Sequence, residues 1–194
     1  VIFNVSYFTG YAGGAGYNAN LTIWDDTDTE TKNYNEQINF YANYTNSTSG
    51  ESINGTNIYC NITFNISGSW TQWADMTFNS TSLLYEYNRS FTSPGTFNWN
   101  VSCNGTSLGY DQLEANDTVI VSDTFGPVIS VESPLNTSYS TPSIWFNVTL
   151  SDPSGISNCT YTLDSNPNTT MSNDTPTHFY HLNSSIPEGT HQVT

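Results

Sequence analysis

The chain has 194 residues and a formal net charge of −15 at pH 7, with 17 acidic residues against two basic ones, Lys32 and Arg89. Nucleic acid is therefore excluded as a partner, because phosphate binding needs clustered Lys and Arg side chains. The same lack of cations excludes a basic patch for binding anionic membranes. The sequence also contains no apolar run of 18 residues, the length needed to span a bilayer. The chain starts at Val1 without a signal-peptide pattern, so we expect a processed or excised piece.

The first 17 residues predict an extra strand followed by a flexible linker. Apolar and aromatic residues dominate residues 1–8, and residues 10–16 are mostly glycine and alanine. Such a strand is either the last strand of a preceding domain in a longer array or a donor strand that completes a sheet in a neighbouring subunit. In the second interpretation, the donated side chains are Ile2, Phe3, Val5 and Tyr7.

An acidic stretch follows the predicted strand that ends at Trp24. Asp26, Asp28 and Glu30 alternate along it, and carboxylate oxygens are the ligands that calcium prefers. No glycine stands where an EF-hand loop requires one, so the other interpretation is a solvated acidic turn. Apart from this calcium candidate, we expect no metal and no cofactor other than covalent N-linked glycan.

Alternation of apolar and polar residues predicts strands along most of the chain, and no stretch shows the helical period. The pattern is clearest in residues 58–66, 97–104, 144–150 and 158–163. Successive side chains of a strand face opposite sides of a sheet, so one side packs inward while the other is solvated. Two such sheets packed face to face form a β-sandwich, and the predicted fold class is all-β.

An internal repeat predicts two consecutive domains. Residues 59–64 resemble residues 158–163, and an Ile-x-Phe strand precedes each copy. Residues 94–101 align with residues 187–194, with one extra residue in the second copy. The predicted organisation is an N-terminal strand and linker at 1–17, a first sandwich at 18–123 and a second sandwich at 124–194.

The three cysteines predict one disulfide and one unpaired thiol. In an exported chain Cys60 and Cys103 are the expected pair, one from each sheet, and their loop would contribute about 3 to 4 kcal/mol. Cys159 is left without a partner, which is typical of an intermolecular bridge or a reactive thiol. The simpler interpretation is that its partner aligns with Cys103, three positions past Thr194, so that the second sandwich is incomplete.

Asparagine positions suggest a chain built to carry sugar. Of 25 asparagines, 18 open an Asn-x-Ser/Thr triplet, the acceptor of N-linked glycan, whereas composition alone would give about 7. Many fall on the outward side of the predicted strands. The predicted acceptors are Asn4, Asn20, Asn43, Asn46, Asn54, Asn61, Asn65, Asn79, Asn88, Asn100, Asn104, Asn116, Asn136, Asn147, Asn158, Asn168, Asn173 and Asn183.

The order Cys60, then Trp70 or Trp73, then Cys103 resembles the immunoglobulin-like sandwich, in which a core tryptophan packs on the disulfide that joins the sheets. More closely, residues 126–130, 151–155 and 158–161 resemble the tandem immunoglobulin-like domains of archaeal cell-surface glycoproteins. The resemblance implies a structural or adhesive exterior protein, such as a surface-layer protein, an adhesin or a pilus-like or thread-like filament subunit.

Catalytic signals are poor. His178, His181 and His191 have no nucleophile elbow, phosphate loop or zinc-type cluster beside them, and His178 and His181 would lie on opposite faces of a strand. We therefore expect no enzyme. Outward-pointing Tyr59 or Trp145 could stack on sugars or pack beneath the protein's own glycans.

Two functions follow from the sequence. The first is a structural subunit of a glycosylated extracellular assembly, a head-to-tail homopolymer formed by strand donation. The second is an adhesin or surface-layer domain of a longer array that binds a cell-surface or glycan ligand.

Overall fold

A computed structural model of the chain describes residues 16–194. Within that range the protein is almost entirely β, with sheets packed as sandwiches, which confirms the predicted fold class. The chain divides into two compact units. Unit 1 contains the described residues up to Phe91 together with Gly95–Val121, and unit 2 contains Thr92–Pro94 together with Ser122–Thr194. None of the described segments forms a helix long and apolar enough to cross a membrane.

Ten strands and two short 3₁₀ turns precede the second unit. The strands are β1 Ala19–Asp25, β2 Lys32–Asn33, β3 Ile38–Asn46, β4 Tyr59–Ile66, β5 Ser69–Trp70, β6 Ala74–Asp75, β7 Thr77–Asn79, β8 Leu84–Arg89, β9 Gly95–Asn104 and β10 Leu113–Ser122. The turns are η1 Asp26–Asp28 and η2 Thr106–Leu108. Unit 2 then adds β11 Val128–Ser133, β12 Ile144–Ser151, β13 Thr160–Tyr161, β14 Thr169–Thr170, β15 Ser172–Asn173 and β16 His178–Asn183.

Unit 1 is built from two antiparallel sheets. One has the order β1-β3-β8-β7, and the other has the order β2-β10-β9-β4-β5, with β6 also paired to β4. Alternating residues of β3 and β9 point into one core, as the period of a strand requires. At its centre the Phe40 ring meets Phe64 and Trp99 edge to face, with centroids 4.9 and 5.1 Å apart. Such aromatic pairs stabilise a core beyond the area that they bury.

Unit 2 repeats the first sheet of unit 1 in a smaller form. Its main sheet has the order β11-β12-β16-β15, and β13 and β14 form a separate pair. Phe146 of β12 stacks on Tyr161 of β13, with ring centroids 4.3 Å apart. The buried core is short. Its members are Phe146, Leu150, Tyr161, Met171, Phe179 and Ile186.

The predicted disulfide forms, but the prediction that it joins the two sheets is wrong. Cys60 lies on β4 and Cys103 on β9, and these strands are neighbours in one antiparallel sheet. The two cysteines are direct cross-strand partners, and both are fully buried. The bond therefore ties two neighbouring strands together, and cohesion between the two sheets has to come from the core side chains.

The predicted core tryptophan is also wrong. Trp70 and Trp73 are about half exposed, since Trp70 lies on β5 at the edge of its sheet and Trp73 lies in the segment between β5 and β6. The buried tryptophan is Trp99, which shares the inward side of β9 with Val101 and Cys103. Residue spacing along a strand, rather than the order of Cys and Trp in the chain, decides which indole enters the core.

Candidate functional site

The acceptor asparagines lie at the surface. None of the 17 predicted acceptors within residues 16–194 is buried, and eight of them are exposed. On β4 and β9 the acceptors Asn61, Asn65, Asn100 and Asn104 alternate with residues that pack into the core. The side-chain oxygen of Asn100 is buried and has no hydrogen-bond partner, so the acceptors differ in how accessible their amides are. Asn4 lies outside the described residues.

One acceptor has an aromatic side chain beside it. The side-chain oxygen of Asn104 accepts hydrogen bonds from the backbone N–H (3.0 Å) and hydroxyl (2.7 Å) of Thr106, the hydroxyl residue of the same triplet. Its Nδ2, the atom that would carry a glycan, donates to the Tyr59 hydroxyl at 3.2 Å. The half-exposed Tyr59 ring therefore lies next to the attachment point of a sugar. Trp145 on β12 is likewise half exposed.

Unit 2 leaves the inner face of an edge strand open. In the register of β11 with β12, Ile129 lies opposite Leu150 and Val131 opposite Val148, so both side chains belong to the face that carries core residues. Ile129 is nevertheless 61% exposed and Val131 57% exposed. Apolar side chains that face inward but remain this exposed indicate that no strand or loop packs over them.

Unit 1 shows what that neighbour would be. Its β1 takes the place that β11 takes in unit 2, as the edge strand paired with an Ile-x-Phe strand. Leu21 and Ile23 of β1 pack on a core that includes Val119 and Val121 of β10. Within residues 122–194 no strand corresponds to β10. The open face of β11 is therefore explained by the absence of a β10 equivalent from the described part of unit 2.

A groove of about 380 Å³ lies at this open face. Its apolar lining comes from Pro127, Ile129, Leu150 and Ile156, and the free thiol of Cys159 lines it as well. Burial raises the pKa of that thiol, which keeps it protonated and poorly nucleophilic. Such a groove can hold apolar side chains, and the Asp152 carboxylate and the acceptor Asn158 also line it.

The last residues of unit 2 repeat the register of β9. Thr162 and Thr194 exchange two backbone hydrogen bonds of 2.7 and 3.1 Å, and Val193 lies opposite Leu163. In unit 1 the corresponding pair is Phe64 and Trp99. Trp99 is fully buried, whereas Val193 is exposed, so no described element packs over this part of unit 2 either.

The predicted repeat agrees with this register. Gly95 and Gly189, which the alignment matches, share a positive φ of 147° and 148°, a conformation that L side chains rarely adopt. A continuation in the same register would bring the third position past Thr194 opposite Cys159, just as Cys103 lies opposite Cys60. The predicted donor residues Ile2, Phe3, Val5 and Tyr7 lie outside the described residues.

The predicted calcium set Asp26, Asp28 and Glu30 is not brought together. Asp26 accepts two hydrogen bonds of 2.9 Å from Asn39, and Glu30 lies 3.0 Å from the Lys32 ammonium. Lys32 is also 3.8 Å from Asp26, so two of the three carboxylates share one cation. Asp28 points to a different group of acids.

That group consists of Asp25, Asp28 and Asp117, which we call the acidic cluster. One carboxylate oxygen from each residue lies within 4.8 Å of the others. Asp25 is 1% exposed, and its burial raises its pKa to about 6, with the nearby carboxylates of Asp28 and Asp117 adding to the rise. Burial likewise raises the pKa of Asp117. The sequence prediction missed Asp25 and Asp117.

The histidines do not form a common site. His178 lies 2.7 Å from Asp174 and 3.7 Å from Glu132, whereas His191 pairs with Asp164 and the Pro187 carbonyl. The Asp164 carboxylate raises the pKa of His191. The His181 ring contacts Tyr161, with centroids 5.7 Å apart.

No protein-family model matches the chain, and comparison with curated proteins finds no significant match. The groove of unit 2, the acceptor asparagines and the acidic cluster are therefore the features that bear on function.

Proposed function

We propose that this chain is a structural, non-enzymatic subunit of a heavily N-glycosylated extracellular filament that polymerises by donor-strand complementation. The observation that carries the proposal is the open inner face of β11 with the apolar groove beside it. An uncovered apolar strand at the edge of a sandwich is a template for a strand from another chain. Fully covering Ile129 and Val131 would contribute about 1 to 2 kcal/mol for each side chain, because each is still more than half exposed.

The N-terminal segment of a second copy is the occupant that fits best. In unit 1, β10 runs beside nearly the whole of β9, from Val121 opposite Gly95 to Leu113 opposite Cys103. Residues 189–194 correspond to residues 95–100, so a donated strand needs about six residues to pair with all of them. Residues 1–8 are long enough and present an apolar residue at every odd position. The Gly-rich residues 10–16 supply the reach for strand donation.

The arrangement of the acceptor asparagines favours contacts through the ends of the subunit. Glycans on the outward sides of the strands would cover much of both units and obstruct broad side-by-side packing. Strand donation from one end to the groove at another is a heterologous contact that does not close, and such a contact generates an open filament. A glycan coat and an extracellular location are part of the same proposal.

A second candidate function rests on the half-exposed aromatics. Tyr59 and Trp145 present ring faces at the surface, and aromatic rings are common contacts for sugars. The chain would then be an adhesin or surface-layer domain from a longer array, and the groove of unit 2 would hold a strand of the same polypeptide.

The decisive experiment compares two substitutions on β11 by electron microscopy of the purified full chain. Val131→Asp places a carboxylate on the open inner face, so we expect uniform filaments from the wild-type chain and none from this variant. Val128→Asp is the matched control, because Val128 is 71% exposed but lies on the other side of the same strand. We expect this control to form filaments. Wild-type chains that stay monomeric, or two variants that behave alike, would contradict strand donation.

A further inference from the structure

The acidic cluster joins parts of unit 1 that belong to different sheets. Asp25 ends β1 in one sheet, Asp28 lies in η1 directly after it, and Asp117 lies on β10 in the other sheet. Asp117 points inward, on the same side of β10 as the buried Val119 and Val121. The three carboxylates therefore meet between the sheets, at one end of the sandwich.

A buried oxygen in the cluster has no partner. Oδ1 of Asp25 accepts from the backbone N–H (2.7 Å) and the hydroxyl (2.6 Å) of Thr27, but Oδ2 is buried without any hydrogen bond. Buried carboxylate oxygens are rarely left unpaired, because removing them from water without compensation costs several kcal/mol. This orphan oxygen is an observation separate from the clustering itself, and it indicates that the buried Asp25 carboxylate lacks a partner such as a cation.

No side chain described in the structure neutralises the cluster. Lys32 pairs with Asp26 and Glu30, and the Arg89 guanidinium lies over the Phe64 and Phe91 rings at 4.4 and 4.5 Å. These are the only two Lys and Arg residues in the sequence. Three acids that share one site without a cation repel one another unless protons or a metal ion intervene.

The cluster suits calcium better than magnesium. Calcium binds oxygen at about 2.3 to 2.6 Å, so two ligands on opposite sides of one ion lie up to about 5 Å apart. The oxygens of the cluster lie within 4.8 Å of one another, inside that span. Magnesium demands near-ideal octahedral geometry, whereas calcium tolerates the irregular geometry of carboxylates that come from three separate elements.

We propose that Asp25, Asp28 and Asp117 form a calcium site that clamps β1 to β10, with water completing the coordination. Calcium would satisfy the orphan oxygen of Asp25 and remove the repulsion among the three carboxylates. It would also link the two sheets of unit 1, which the Cys60–Cys103 disulfide does not do because both cysteines lie in one sheet. The site differs from the set predicted from the sequence and is independent of filament formation.

The test titrates calcium chloride into the EDTA-treated full chain at pH 7.5 and follows binding by calorimetry and unfolding by thermal melting. We expect one calcium ion per chain and a rise of at least about 5 °C in the unfolding temperature of unit 1. Asp117→Asn removes one ligand and should abolish both effects. In EDTA the same variant should unfold at a temperature no lower than the wild type, because it relieves the repulsion. Glu114→Gln, at an exposed carboxylate on the same strand β10, is the matched control and should bind calcium normally.

Three results would overturn the proposal. The first is a wild-type chain that binds no calcium, and the second is equal loss of binding in Asp117→Asn and Glu114→Gln, which would indicate diffuse attraction to an acidic surface. The third is an Asp117→Asn variant that is less stable than the wild type in EDTA, since a metal-free cluster would then not be repulsive.

Discussion

At the scale of single residues, a close contact between Tyr44 and Gly105 fixes the end of the unit 1 sandwich. Tyr44 is buried on β3, and its hydroxyl donates to the backbone carbonyl of Asp111. A Cβ added to Gly105 would lie 2.6 Å from the Tyr44 hydroxyl and 2.9 Å from Cβ of Tyr110. The glycine is required here by close approach, since its backbone φ of −115° is open to other residues.

Gly105→Ala should therefore destabilise unit 1 by about 1 to 3 kcal/mol, the usual cost of overpacking. Gly126→Ala is the matched control, because a Cβ there would meet no atom within 4 Å. Denaturant unfolding of both variants checks the expectation, and the triplet that begins at Asn104 survives the change. If the two variants are equally stable, the Tyr44 side chain can move aside without lowering the free energy of unfolding, and the expectation is wrong.

At the residue scale, the alternation of side chains along a strand decides which positions could be predicted from the sequence. The sequence was sufficient to place Asn61 and Asn100 outward, since their neighbours on both sides are apolar. The same parity puts Asp25 and Asp117 inward, beside Ile23 and Val119, and applying it to acids would have revealed the acidic cluster. Contacts between β1 and β10 join residues about 90 positions apart, and no local pattern encodes them.

At the scale of elements, the pairing of β4 with β9 organises unit 1. The register places Cys60 opposite Cys103, Ile62 opposite Val101 and Phe64 opposite Trp99. Cysteine spacing alone could not reveal that the two strands are neighbours, because a bond between sheets and a bond within a sheet enclose the same loop. The repeat was more informative, since its aligned glycines Gly95 and Gly189 adopt the same conformation.

Removing the disulfide should loosen this strand pair. The two cysteines are 43 residues apart, and releasing a loop of that size costs about 4 kcal/mol of stability by chain entropy. We expect the Cys60→Ala, Cys103→Ala double variant to lose that amount, measured from hydrogen exchange of the β4 amides. Cys159→Ala, in unit 2, should leave those amides unchanged. A loss below about 1 kcal/mol in the double variant would show that the core alone fixes the pairing.

At the scale of the whole molecule, the two units have similar sheets but differ in how completely their inward-facing apolar residues are buried. Val119 and Val121 complete the core of unit 1, whereas Ile129 and Val131 of unit 2 remain open. The open inner face of β11 agrees with the unpaired Cys159 and with the repeat alignment, which both predicted that residues 124–194 lack a strand. The groove itself could not be predicted, because its walls come from β11, β12 and the segment before β13, which only tertiary packing brings together. If subunits assemble by strand donation, as we propose, this open face is where the donated strand binds.

If residues 1–8 of one subunit occupy the groove of the next, as we propose, Cys159 provides a reporter, because it lines the groove. The first residue of β10 lies opposite Cys103, the partner of Cys60, so the first residues of a donated strand should lie nearest Cys159. We predict that Phe3→Cys, treated with an added oxidant, gives a ladder of disulfide-linked multimers on a non-reducing gel. The ladder should vanish with Cys159→Ser and should be much weaker for Phe8→Cys, at an even position near the other end of the segment; both Phe variants keep the acceptor triplet at Asn4. A single monomer band for Phe3→Cys, or equal ladders for Phe3→Cys and Phe8→Cys, would contradict donor-strand assembly.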